Sequence, residues 1–338
     1  MSGRSRVVRI AGLALAGALL LGVAAAGWAY RHLSGNITGV DIDGALGDDR
    51  PVRPAPAPAP SAAGPAEPLP AGPLNILVLG SDSRGGEENR RLGGGDSEGA
   101  RSDTAMVVHL DAGRTGATVV SIPRDTLVTR PSCPLPTGGA TRAAHQVMFN
   151  TAYAVGGPVC AVKTAESLTG LRMDHYLKID FAGFAGLVDA LGGVTVTLDE
   201  DIDDDKSHLS LAAGTHHLDG TRALGLARTR HGLAGGSDLA RIELQHKLVT
   251  ALLEQVTSAG LLTDPARLYR VADAATESLT TDTGLDSLGE LVGLGRSLRG
   301  LSATAVRTVT MPVVPAPWDT DRVVAKEPEA TRLWASLR

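Results

Sequence analysis

Aromatic residues are scarce in this chain, at 3% of 338 positions, and cysteine occurs only twice. Packing therefore falls to Ala, Gly and Leu, and a hydrophobic content of 43% suffices for one sizeable core or two modest ones. No Gly-x-x-x-x-Gly-Lys-Ser/Thr loop is present, which argues against a nucleoside-triphosphate engine. His216 and His217 have no His-Glu-x-x-His context and no cysteine partner, and adjacent side chains point apart, so they are not read as metal ligands. The acid run at 199–205 lacks the glycine and terminal glutamate of an EF-hand loop and reads as a solvated turn. Positive charge is short as well. The net charge is −5, and subtracting the four arginines of residues 1–33 (Arg4, Arg6, Arg9, Arg31), which no acid offsets there, leaves −9 on the remainder. That balance excludes a general basic surface for nucleic acid, so any anionic ligand must be held locally.

What is present begins with an uninterrupted apolar segment at residues 10–30, long enough to cross a bilayer, which needs about 20 residues. Arg4, Arg6 and Arg9 precede it, so the positive-inside rule makes residues 1–9 a cytoplasmic tail, 10–30 a transmembrane signal-anchor in the cell membrane, and everything later extracytoplasmic. A signal peptide cleaved after the alanines at 24–26 is the alternative; the length of the run, and Trp28 and Tyr30 at an interfacial position, favour the anchor. Residues 31–73 read as a Pro/Ala-rich linker, stiff where Pro alternates with Ala at 54–60, and the folded domain is expected over 74–338. Outside the membrane oxidation is permitted. Cys133 and Cys160 are accordingly expected to form a disulfide that pins the loop after Asp125 to a helix opening at Pro158, with two buried thiols as the alternative.

Residues 75–125 organise the domain. Apolar runs at 74–79, 104–110 and 117–122, bounded by Gly and Pro, fit strands buried on both faces. Each meets charge at one end: Asp82 and Arg84 after the first, Arg101 and Asp103 before the second, Arg124 and Asp125 after the third. Polar clusters at strand ends mark a ligand crevice in open α/β sheets. Downstream, helical patterns at 146–154, 158–168, 181–191, 221–227, 238–257, 265–279, 285–298 and 328–337 alternate with strands at 174–181, 194–198 and 306–311, which predicts an α/β fold with helices on both faces of a central β-sheet.

The long helix at 238–257, capped by Ser237, carries a second polar cluster. At about 100° per residue, Asp238, Arg241 and Gln245 share an arc with Leu248, Val249, Leu252 and Val256, while Glu243, Lys247 and Glu254 take the opposite side. Polar residues thus occupy the core-facing side. A buried charge needs a partner, and Arg241 must meet an acid, such as Asp238 three residues away, or a bound anion. Arg228 and Arg230 lie just upstream and would face the same way in an extended segment. With Arg84, Arg101, Arg124 and Arg241 they make six guanidinium groups suited to a pyrophosphate, which Arg forks bind in bidentate fashion. Asp82 and Asp103 fit Mg²⁺, with Mn²⁺ as a substitute, because such an ion takes one or two carboxylates and fills its shell with water and phosphate oxygens; turn-capping is their alternative role.

The succession Asn75-Ile-Leu-Val-Leu-Gly-Ser-Asp82-Ser-Arg84, Arg101-Ser-Asp103-Thr, Ser121-Ile-Pro-Arg124-Asp125, Asn150-Thr-Ala-Tyr153, Asp189-Ala-Leu-Gly-Gly-Val194, Leu218-Asp-Gly220, Ala227-Arg228-Thr-Arg230 and 238–245 resembles the LytR-CpsA-Psr family of cell-wall transferases, in its actinobacterial form. The resemblance implies a three-layer domain around a central mixed β-sheet. It further implies transfer of a polyprenyl-pyrophosphate-linked glycopolymer, of the teichoic acid or arabinogalactan class, onto a peptidoglycan acceptor through a phosphodiester, with release of polyprenyl phosphate. Asp82 and Asp103 would hold the metal, and Arg84, Arg101, Arg124, Arg228, Arg230, Arg241 and Gln245 would contact the pyrophosphate. Asp125 and Asp238 would orient arginines, Asp238 also serving as base to the acceptor hydroxyl. An insert at 85–100 separates the two metal carboxylates and reads as a flap over the site. Hydrolysis of the pyrophosphate by water, or non-catalytic binding of wall polymer, are the other readings.

Overall fold

The computed structural model describes residues 20–53, 72–81, 102–229, 238–258 and 264–338, with backbone alone at 102, 103, 238, 257 and 258. Helical residues 20–36 (α1) lead into β1 (Thr38–Val40), α2 (Ile42–Leu46), β2 (Leu74–Ser81), β3 (Ser102–Leu110), β4 (Ala117–Ile122), β5 (Leu127–Arg130), β6 (Ala144–Met148) and α3 (Thr151–Thr169). There follow β7 (His175–Asp180), α4 (Phe181–Ala190), β8 (Val194–Leu198), β9 (Ile202–Asp204), β10 (Leu209–Leu211), β11 (Gly214–Leu218), α5 (Gly220–Arg228) and α6 (Asp238–Ser258). The chain ends through α7 (Pro265–Ser278), β12 (Leu279–Asp282), α8 (Leu288–Ser297), β13 (Val306–Thr310), β14 (Val313–Ala316), β15 (Asp319–Ala325) and α9 (Glu329–Ala335). Among the described residues seven strands form one mixed sheet in the order β1-β12-β7-β2-β3-β4-β13, accompanied by four two-stranded sheets.

Strand alternation splits the apolar side chains between the two faces. Leu77 and Leu79 of β2, Ala105 and Val107 of β3, and Val120 and Ile122 of β4 pack on one face against α3, α2 and Trp334 of α9. On the other face Ile76, Leu110 and Ala117 are covered by Leu294 of α8 at one end of the strands. At the opposite end of that face α4, α5 and α6 form a second layer with its own core, including Val188, Leu226, Leu244 and Leu248. The fold is therefore a central mixed sheet with helices on both sides, as the element pattern predicts.

Two local expectations change. Residues 33–53 are not linker: β1 pairs with β12 at the sheet edge, Ile42 and Leu46 join the main core, and Arg50 reaches buried Glu166 of α3 (2.6 Å) and the carbonyl of Met173. A three-residue strand of Thr, Gly and Val followed by a five-residue helix offers too little periodicity to be read locally. The helical pattern at 146–154 resolves instead into β6, paired with β5, and a helix that starts only at Thr151. Within α3 the helix breaks at Gly156 and at Gly157, whose φ is 63°, and resumes at Pro158, so glycine supplies the left-handed turn and proline starts the second segment. Cys133 and Cys160 are joined, tying the loop after β5 to that second segment. Among the described residues no helix is long and apolar enough to cross a membrane; residues 10–19 of the segment at 10–30 lie outside them.

Candidate functional site

β2 and β7 run parallel and β3 and β4 antiparallel to their neighbours, so the end of β2, the start of β3, the end of β4 and the end of β7 meet along one edge of the sheet. The strand ends next to which three of the charged segments lie in sequence thereby meet at that edge. The ladder is irregular there: Gly80 pairs with Thr104 but Ser81 pairs with Ser102, leaving Asp103 as the extra residue of a bulge. Bulges redirect a side chain or end pairing, and they recur beside active sites. In sequence Asp82 follows Ser81 and Asp103 follows Ser102, so the two residues proposed for a metal are each next in the chain to one member of a register pair. The strands approach closely here: a Cβ at Gly80 would come within 3.2 Å of Thr104 Cβ, so a larger residue would require Thr104 to shift.

Above this edge lies a cavity of about 500 Å³. Val78, Gly80, Thr104 and Met106 form its floor, Phe181, Phe184 and Leu187 of α4 one wall, and Leu248, Val249 and Leu252 of α6 another. Its polar groups are Asp180, Asp204, Lys206, Arg228, Arg241 and Gln245. The helical arc read from the sequence is thus the cavity-facing side of α6: Arg241 is 3% and Gln245 6% exposed, and Glu243 is exposed on the far side. Val256 departs from that reading and is exposed. Gln245 Nε2 donates to Thr104 Oγ1 (3.1 Å) and to the Ala227 carbonyl (3.0 Å), which holds α6 against β3 and α5 together. The next residue, His246, bonds through Nε2 to buried Ser121 Oγ of β4 (2.9 Å). Burial holds its imidazole below the ordinary value, with Glu243 opposing.

Arg228 belongs to the last turn of α5 and not to an extended segment, so its relation to Arg230 is not set by strand alternation. Its guanidinium lies over the Phe181 ring, 4.6 Å from the centroid, a contact that orients the fork toward the cavity and is worth about 0.5–2 kcal/mol. Thr229 is fully buried and bonded to the Gly225 carbonyl and Ser207 Oγ. Arg124 and Asp125 follow β4, with Nε to Oδ2 at 3.5 Å, and the Asn150 amide donates to the Arg124 carbonyl. Asp82, Arg84, Arg101 and Arg230 lie outside the described residues; Asp103 and Asp238 are placed by backbone only, the latter opening α6.

Three cavity residues escape the sequence reading. Asp180 caps α4 through the Gly183 amide (2.8 Å), and Asp204 sits in the acid run read as a solvated turn, with Lys206 directly after it. That reading fails at Asp204, which is 2% exposed and accepts the Lys206 and Ser207 amides. The alternation of burial at Ile202, Asp203 and Asp204 is the only local signal of a strand there. His216 and His217 bond the carbonyls of Ala212 and Gly192 on the outer hairpin, away from the cavity.

The profile of the LytR_cpsA_psr family matches residues 29–338 of the chain. LcpB of Corynebacterium glutamicum is 38% identical over 271 residues, covering 78% of this chain and 61% of that protein. The polyisoprenyl-teichoic acid–peptidoglycan teichoic acid transferase TagV of Bacillus subtilis is 29% identical over 266 residues, covering 77% and 62%. Among solved structures, a LytR-Csp2A-Psr enzyme from Actinomyces oris superposes with a TM-score of 0.60 at 25% identity, covering 85% of this chain and 96% of that one. The chain spans about three-fifths of the length of the two relatives compared by sequence.

Proposed function

The chain belongs to the LytR_cpsA_psr family, and on that premise we propose that it is a phosphotransferase that moves a polyprenyl-pyrophosphate-linked glycopolymer onto peptidoglycan. The observation that carries this reading is the cavity, apolar along α4, α6 and the sheet, with Arg228 and Arg241 at its polar end. Apolar walls suit the first isoprene units of the lipid, and guanidinium forks suit the pyrophosphate attached to them. The acceptor hydroxyl oxygen attacks the phosphorus that bears the polymer, the bond from that phosphorus to the bridging oxygen breaks, and polyprenyl phosphate departs with the bonding pair. The hydroxyl proton passes to a carboxylate, for which Asp238 at the start of α6 is the candidate. Such transfer needs positioning and charge neutralisation more than a protein nucleophile. Arg241, held in the wall of α6, and Arg228, steadied on Phe181, would neutralise the departing phosphate; Arg124, beside Asp125 at the sheet edge, would contact the phosphate being transferred. Arg84, Arg101 and Arg230 would complete the anion site.

Asp82 and Asp103 would hold Mg²⁺. Their fit rests on the bulge at Asp103 and the pairing of Ser81 with Ser102. Bound there, the ion would withdraw charge from the pyrophosphate oxygens. We place residues 10–30 in the cytoplasmic membrane and the domain outside it, a placement supported by the preceding arginines and by a disulfide suited to an oxidising compartment.

The test uses the full chain in lipid vesicles with a lipid-pyrophosphate sugar, Mg²⁺ and peptidoglycan. A phosphodiester-linked product that disappears on chelation is expected. Release of free polymer phosphate without joining would identify a hydrolase instead, and binding without turnover would identify a wall-polymer binder.

A further inference from the structure

In a chain with only three tryptophans, their placement is informative. Trp334 is 3% exposed in the main core, and Trp28 stacks on His32 and Tyr269 where α1 meets α7. Trp318 has neither role. It is 58% exposed in the two-residue turn between β14 and β15, where Ala316 pairs with Asp319. The turn itself explains Pro317, whose fixed φ suits the first turn position, but not an indole beside it. Nor does the hairpin stand off the protein. Ala316, two residues away, is fully buried, and Val313 and Ala325 pack on the main core. Pro315 and Pro317 stiffen the tip, so the ring is presented with little conformational freedom left to lose. Asp319 and Asp321 are exposed next to it.

The hairpin also has a defined relation to the site. Val323 of β15 bridges to Thr126, and its amide donates to the Asp125 carbonyl at 3.4 Å. Five residues of strand, about 17 Å at ~3.4 Å each, separate that contact from Trp318. A saccharide of three or four pyranose units has the same reach. The apolar cavity lies on the sheet face of Val78 and Met106, whereas the hairpin packs with Leu77 and Leu79 on the other face. Attack in line with the departing polyprenyl phosphate brings the acceptor from the side opposite the lipid, which is the hairpin side.

We propose that the Pro317–Trp318 tip is a saccharide platform for the acceptor glycan strand, the indole stacking on the C–H face of a pyranose while Asp319 and Asp321 accept its hydroxyls. The orientation rests on the transferase reading above; the saccharide site itself does not. Both parts are tested with the full chain in vesicles. Soluble uncrosslinked peptidoglycan oligosaccharides should change the tryptophan emission of the wild type and not of Trp318→Phe, compared at equal loading. In the transfer assay Trp318→Ala should raise the acceptor KM about tenfold, Trp318→Phe should recover most of it, and the donor KM should stay put. An unchanged acceptor KM and unchanged emission in a variant with wild-type Tm would overturn the platform. A raised donor KM would assign the tip to the donor polymer, and altered partitioning onto sugar-free vesicles would assign it to the bilayer; either outcome overturns the acceptor assignment. Should the wild type transfer nothing, the transferase reading fails while the emission titration still decides whether the tip binds saccharide.

Discussion

The two ends of the central strands hold the same kinds of residue in opposite arrangements. Where β2 begins, polar groups are buried and bonded to one another: Asn75 bonds His109 Nδ1 (2.8 Å) and the Arg172 carbonyl, its amide donates to Asp174, and Arg50 pairs with Glu166. Asp282 accepts from the Tyr176 and Gly284 amides and from His175. Where β2 ends, arginine, lysine, aspartate and glutamine instead line 500 Å³ of space. The first end consumes its charge in holding β1, α2 and α3 to the sheet. At the second end the polar groups are bonded as well, Gln245 to Thr104 and Asp204 to the Lys206 and Ser207 amides, but they border a volume that a ligand can fill. Residue type alone does not separate a structural ion network from a binding site; what separates them is whether a ligand-sized cavity opens beside the bonded groups.

The comparison breaks if the two ends respond alike to mutation. The largest effect on stability is expected at the first end. Glu166→Ala leaves the Arg50 guanidinium, whose side chain is 1% exposed, with only Asp43 and the Met173 carbonyl and unpairs the Met173 amide, and should cost about 3–5 kcal/mol in denaturant unfolding, with turnover of the folded fraction unchanged. Reducing the Cys133–Cys160 bond, which closes a loop of 27 residues' separation, should lower stability by about 3–4 kcal/mol, and a Tm that ignores reductant would refute its role. At the second end, Arg228→Ala and Arg241→Ala should each lower kcat/KM for transfer by roughly 100-fold, while Tm moves little for Arg228→Ala. Wild-type turnover in both would dismiss the cavity as the site.

The smallest effect is on pH dependence. Burial lowers the pKa of His109 at the first end, outweighing Asp111, and that of His246 at the second. A lowered histidine pKa means that the unfolded chain takes the proton first, so stability falls as pH drops through the ordinary value of about 6.5. His109→Gln and His246→Gln should each flatten the decline in Tm between pH 7.5 and 5.5; an unaltered slope in both would contradict the burial of these rings.

Half of the polar cavity lining, Arg228, Arg241 and Gln245, was legible in the sequence, the last two because burying polar groups is costly. Arg241 and Gln245 fall on the apolar arc of α6, and a sequence does not place them there without a partner or ligand. Arg124 and Asp125 were legible as charge abutting an apolar strand. Lys206 and Asp204 were not, since an acid run near a turn is locally the same whether it faces water or folds back onto α5. Trp318 carries no local mark for the same reason: exposure is a property of the fold. The misreading of β6 as helix shows the limit of periodicity in a nine-residue window, where apolar residues at 147, 148 and 152 fit a helix until pairing with β5 intervenes.

Burial of β2, β3 and β4, the amphipathic arc of α6, and the glycine break before Pro158 are local properties, written within windows of ten to twenty residues by the periods of strand and helix and by φ preference. The convergence of those pieces is not. Gln245 meets Thr104 across 141 positions and His246 meets Ser121 across 125, and neither residue carries a mark of its partner. Strand order, the bulge at Asp103 and the closure of α4 to α6 over the sheet follow from which surfaces bury the most apolar area together, and that is settled only when the whole chain packs.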